Sequence, residues 1–95
     1  MKSEKRCTTR GIESEIPLWL QHLLWFMRDG IETDAKDYLQ VFELTRTAAG
    51  QHIVHTQEQP SYRYELDVPC EDAVTTKVYI IDDKTHVTML LASEY

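Results

Sequence analysis

His52 and His55 are the residues of this chain whose types and spacing most directly suggest chemistry. His-x-x-His puts two imidazoles on one side of a helix, where they can share a metal ion. The surrounding run QHIVHTQEQ, residues 51–59, reads instead as a strand. Side chains three apart on a strand point to opposite faces, so no shared metal is expected. Asp82, Asp83 and His86 bring carboxylates beside an imidazole, a pairing suited to proton transfer. They sit at the turn DDKT, where Asp commonly bonds its own backbone, and that accounts for them without catalysis. Tyr62 and Tyr64 could stack nucleic-acid bases, but beside Leu66 and Val68 they are expected at the core or its rim. Cys7 and Cys70 lie far apart with no metal-type spacing and no histidine nearby in sequence. The three glycines are too widely spaced for a phosphate-binding loop. The expectation is no catalytic residue, no metal site, no cofactor and a non-enzymatic role.

Composition narrows the classes further. Ninety-five residues allow one domain, 1–95, with a thin core. A 42% hydrophobic and 27% charged chain folds rather than staying disordered. Sixteen acids against ten bases give a formal charge of −6, which repels phosphate and disfavours direct nucleic-acid binding. A DNA mimic would use that charge. The acids Asp29, Glu32, Asp34 and Asp37, and then Glu65, Asp67, Glu71 and Asp72, show no regular phosphate-like spacing, so solubility is the plainer reading. The start MKSEKRCTTRG does not read as a secretion signal. The apolar run Ile16–Met27 is too short for a bilayer and contains Gln21 and His22. Two reduced thiols and no membrane segment point to the cytoplasm.

The elements that must position these residues follow from periodicity. KRCTTRGI, residues 5–12, is expected to be a short first strand, turning at Gly11. A helix starts near Pro17, where a missing N–H costs nothing, and stops at Gly30. At helical spacing Ile16, Trp19, Leu20, Leu23, Leu24, Phe26, Met27 and Ile31 fall within an arc of about 160°, the expected core face. Leu18 and Trp25 lie on the other, polar side with Gln21, His22, Arg28 and Asp29. Glu32–Asp37 reads as a polar loop.

Beyond it the period drops to two. YLQVFELTR (38–46) is a strand with apolar residues on both faces, so both could be covered. TAAG turns it into the partner strand 51–59, which Pro60 ends. SYRYELDV alternates as a half-buried strand and PCEDA is a loop. TTKVYII and HVTMLLA form a last hairpin across Asp82–Thr85, with Ile81 opposite His86, Ile80 opposite Val87 and Val78 opposite Met89. The fold class is α+β: one amphipathic helix on one face of a mostly antiparallel sheet of about five to six strands.

Leu18 and Trp25, with His22 between them, form the candidate partner-binding site. An outward Trp beside an outward Leu suits a docked protein or a second copy of the chain. Cover by the N-terminal segment or by the Glu32–Asp37 loop is the intramolecular alternative.

Four stretches, TRGIESEIPLWLQHLLW, DYLQVFEL, IVHTQEQPSYRYE and KVYIIDDKTHVTMLLASEY, resemble a family of small Gram-positive bacterial proteins, domain-of-unknown-function family 960. The resemblance covers residues 8–95. Some members occur on staphylococcal mobile cassettes and phage-like elements, which implies a cytoplasmic accessory role tied to mobile DNA. The family has no assigned activity and so supplies no functional residues. The leading expectation is a protein-interaction module. The alternative is a nucleic-acid-associated accessory, either a DNA mimic or a weak single-strand binder.

Overall fold

A computed structural model describes residues 4–95. The chain runs β1 (Arg6–Thr8), α1 (Arg10–Glu15), α2 (Leu18–Asp29), β2 (Leu39–Thr47), β3 (Gly50–Gln57), β4 (Tyr62–Val68), β5 (Thr76–Asp82) and β6 (Val87–Leu91). Short 3-10 turns occupy Thr33–Ala35 and Ala92–Glu94.

The first strand is shorter than the sequence suggests, because Thr9 starts a helix. Its hydroxyl accepts from the Ile12 N–H and caps α1. Gly11 is therefore helical rather than a turn, and its missing side chain has a use. A Cβ there would lie 2.7 Å from the Glu94 carboxylate. That carboxylate accepts from the Gly11 N–H, the Leu91 N–H and the Thr9 hydroxyl, tying α1 to the chain's end. These hydrogen bonds, the one from Thr9 foremost, hold the Glu94 pKa below its ordinary value. Helix α2 has the expected limits, with Pro17 before it and Gly30 as its C-cap.

The sheet is mixed but mostly antiparallel, in the order β1-β6-β5-β2-β3-β4. Among the described strands only β1 runs parallel to its neighbour, β6. The hairpin β2–β3 continues into β4, and the chain then crosses to β5 on the far side of β2. Residues 69–75 make that crossing. Gln51 fixes them, donating to the Val74 carbonyl and accepting from its N–H. Arg46 adds bonds to Thr75 and Glu71. The crossing passes so close to Gly50 that a Cβ there would collide with the Val68 carbonyl oxygen and the Cys70 nitrogen, and φ is +126°. Glycine tolerates both conditions.

The core lies between the helices and one sheet face. Phe42, Leu44, Ile53, Val78, Ile80, Val87, Met89 and Leu91 meet Ile12, Ile16, Leu20, Leu24 and Met27. Leu39 and Val41 on the opposite face of β2 are only half-buried, so the strand is fully covered on one side alone. In the last hairpin Asp82 faces Val87, Ile80 faces Met89 and Val78 faces Leu91. This is two residues away from the expected pairing. The connection is Asp83–His86 rather than Asp82–Thr85, because the Asp83 N–H bonds the His86 carbonyl and Lys84 takes a positive φ. Moving the turn by one residue moves the register by two, and an even slip leaves every side chain on its expected face.

Candidate interaction surface

Helix α2 is rotated by roughly 80° from the orientation its apolar arc suggests. Its buried residues are Leu20, Gln21, Leu24, Met27 and Arg28. Phe26, expected in the core, is 74% exposed, whereas Gln21 and Arg28, expected outward, are buried. The rotation follows from what the flanking segments offer. The Gln21 amide donates to the Ile12 and Ile16 carbonyls, satisfying the end of α1. Arg28, 2% exposed, meets Glu4 at 3.1 Å, Asp29 at 3.5 Å and Asp82 at 3.7 Å. A guanidinium is buried only with such partners. Burial alone would raise the Glu4 pKa, but the Arg28 charge and hydrogen bonds from Arg6 and Arg28 outweigh it and hold the carboxyl low.

With that face inward, Leu18, His22 and Phe26 line up outward. They are four residues apart, so they form one row along the helix. Leu18 is 63% exposed, and His22 between the two apolar ends is exposed as well. Trp25 flanks the row but is half-buried against the core. The Arg6 guanidinium lies 4.7 Å from its ring centroid, a cation–π contact supplied by the N-terminal segment. Of the expected outward pair, Leu18 is free and Trp25 is partly covered within the chain. Trp19 is also half-buried, and its indole N–H donates to Asp72 at 3.0 Å. The surface is thus Leu18–His22–Phe26, with the edge of Trp25 beside it. Phe26 was missed because helical period assigns it to the apolar arc. Only the inward pull of Gln21 and Arg28 shows that the arc turns.

The other candidate groups are occupied structurally. His52 and His55 project to opposite faces, as strand parity requires. His52 is exposed to solvent on one side, with Nδ1 2.8 Å from Asp67 and Nε2 3.2 Å from Glu65. The Asp67 hydrogen bond raises its pKa, with the Asp67 and Glu65 charges adding to the effect. His55 is wholly buried, stacked on Phe42 at 4.2 Å with the Tyr62 ring edge at 5.2 Å. Its Nε2 bonds the Gln40 side-chain oxygen at 2.7 Å, and its Nδ1 has no partner among the described residues. Burial pushes this imidazole down to about 4.

Gln40 passes the contact on to Gln57 and the Asp37 carbonyl, and Gln57 holds Ala35, Asp37 and Pro60. Four buried glutamines, Gln21, Gln40, Gln51 and Gln57, thus satisfy irregular backbone that would otherwise be unpaired. Asp83 caps its own turn, accepting from the Thr85 and His86 N–H groups and the Thr85 hydroxyl. The His86 backbone bond leads the lowering of its pKa. A cleft of about 630 Å³ opens beside this turn, lined by Glu4, Lys5, Asp82, Lys84, Thr85, His86 and Val87. Tyr62 is half-buried at the core rim, whereas Tyr64 is exposed. Among the described residues, no three His, Cys, Asp or Glu side chains converge as a metal site. No helix among them is long and apolar enough to cross a membrane.

The chain is similar in structure to a protein of unknown function from Enterococcus faecalis known from its crystal structure. The TM-score is 0.79 at 22% identity, covering 97% of this chain and 91% of the other. That likeness bears on the fold alone. No curated protein matches the chain. The family model described as staphylococcal protein of unknown function (DUF960) matches residues 5–94, so the chain belongs to that family.

Proposed function

We propose that the chain is a non-enzymatic protein-interaction module that receives a partner protein on the outer face of α2. The observation that carries this reading is the exposure of Leu18 and Phe26 at the two ends of one helical row. Covering a side chain of this size contributes about 1.5–3 kcal/mol, so the two would anchor a docked segment. His22 between them supplies a polar group to orient it. With a net charge of −6, the surrounding field favours an apolar partner segment with basic flanks.

A DNA mimic would need free acids in a row. Asp29, Asp37, Asp72, Glu65 and Asp67 are each bonded within the chain, which favours a protein partner. The setting we propose is cytoplasmic: Cys7 and Cys70 are free thiols, a state that a reducing compartment maintains.

The test is affinity capture with the wild type and a Leu18→Ser/Phe26→Ser variant from a cell expressing the chain. The captured partner is expected to be lost from the variant while circular dichroism stays unchanged. Equal capture by both proteins would refute the assignment. Trp25→Ala is the poorer probe, since it also removes the contact with Arg6.

A further inference from the structure

The sheet stops at β4, whose outer edge pairs with no strand among the described residues. Along this seven-residue strand alternate N–H and C=O groups point away from β3, and they make a template for another strand. Tyr62, Leu66 and Val68 on its core face are only half-covered, and Tyr64 is 50% exposed. Its other face carries Arg63, Glu65 and Asp67, all exposed.

We infer that a second copy of this chain adds its own β4 to this edge, antiparallel, with Tyr64 facing its counterpart on a two-fold axis. Symmetry and charge together select this register. In a two-fold pair of antiparallel edges the axis stands normal to the sheet, so paired side chains share a face. The pairing must then be centred on a residue opposite itself. Centred on Arg63, two guanidiniums oppose each other. Centred on Glu65, two carboxylates do. Centred on Leu66, Glu65 opposes Asp67. Centred on Tyr64, Arg63 opposes Glu65 of the other copy twice over, and Tyr62 opposes Leu66 twice on the core face. This is the central register in which every opposed charge pair is attractive. Arg63 and Glu65 already form an ion pair along the strand, so the two copies would build an alternating ring of four charges. The tyrosines and leucines would extend both cores into one, and ladder hydrogen bonds would close the edge.

Sedimentation or light scattering on the full chain over a dilution series tests this, using wild type, R63E and E65R. The wild type is expected to be a dimer. Each single variant places like charges across the axis and is expected to raise the dimer dissociation constant at least about tenfold. Mixing the two variants restores opposite charges at both cross-strand pairs, so a heterodimer of near wild-type affinity is expected. Rescue by mixing cannot arise from the ion pair within one strand, and it belongs to the Tyr64-centred register. A wild type that stays monomeric up to about 1 mM overturns the proposal. So do folded single variants that remain dimeric, or a mixture that remains monomeric. Leu18→Ser, on the outer face of α2, should leave this dimer intact.

Discussion

Lowering the pH should destabilise this protein measurably through His55. The imidazole is buried with its single hydrogen bond going to Gln40, and its pKa falls from 6.5 to about 4. A proton added in the folded state would be a buried charge facing Phe42 and Tyr62, with no carboxylate among the described residues to pair it. The unfolded chain binds that proton at the ordinary pKa, so it takes up protons first. The sign follows: this contribution is fully present above about pH 6.5 and is lost as the pH falls toward about 4. Between pH 7 and about 4.5 the linkage amounts to about 2.5 kcal/mol, taking each pKa unit as about 1.4 kcal/mol. A domain of this length has roughly 5–14 kcal/mol in total, so the loss is a large fraction.

Urea unfolding of wild type and His55→Gln across that range isolates the effect, because carboxylates titrate equally in both. Glutamine can still donate to Gln40 and carries no proton to gain. The stability difference between the two proteins should move by about 2–3 kcal/mol in favour of the variant on acidification. A difference independent of pH, or an imidazole resonance of His55 titrating near its ordinary value, would refute the reasoning.

Gly50→Ala should destabilise by about 3 kcal/mol or more, a fall in Tm of at least about 12 °C, because the new Cβ meets backbone on the 69–70 crossing at positive φ; a change under about 1 kcal/mol would contradict this. For the Arg28 cluster, Glu4→Gln combined with Asp82→Asn should cost more than Arg28→Met in thermal melts. The first leaves the buried guanidinium only Asp29, at 3.5 Å, of its three carboxylates, while the second leaves three acids that water still reaches; the opposite ranking would show that the acids, not the arginine, depend on the pair. His52 should titrate above its ordinary pKa by NMR and return toward it in Asp67→Asn. Its contribution to stability is present at low pH and lost as the pH rises through the raised value, opposite in sign to that of His55.

Much of the fold could be read from local pattern. Pro17 and Gly30 bound α2, alternation marks the strands, and parity alone separates His52 from His55 onto opposite faces. The faces of the last hairpin were legible even though its register was not, since a two-residue slip preserves the pleat. The candidate surface was half legible. Leu18 stands outside the apolar arc by spacing alone, but Phe26 sits within it and is nonetheless exposed.

Sequence by itself determined the limits of α2 and which strand side chains share a face, because those follow from bond geometry over a few residues. It did not show α1, which starts inside the expected first strand, or the turn of the last hairpin. Tertiary structure decided which arc of α2 turns inward, that β5 inserts beside β2, that β1 runs parallel to β6, and that four glutamines and Arg28 belong inside. Those choices depend on carbonyls and carboxylates contributed by distant parts of the chain. A polar side chain is stable in the interior only where such partners arrive, and no local period encodes their arrival.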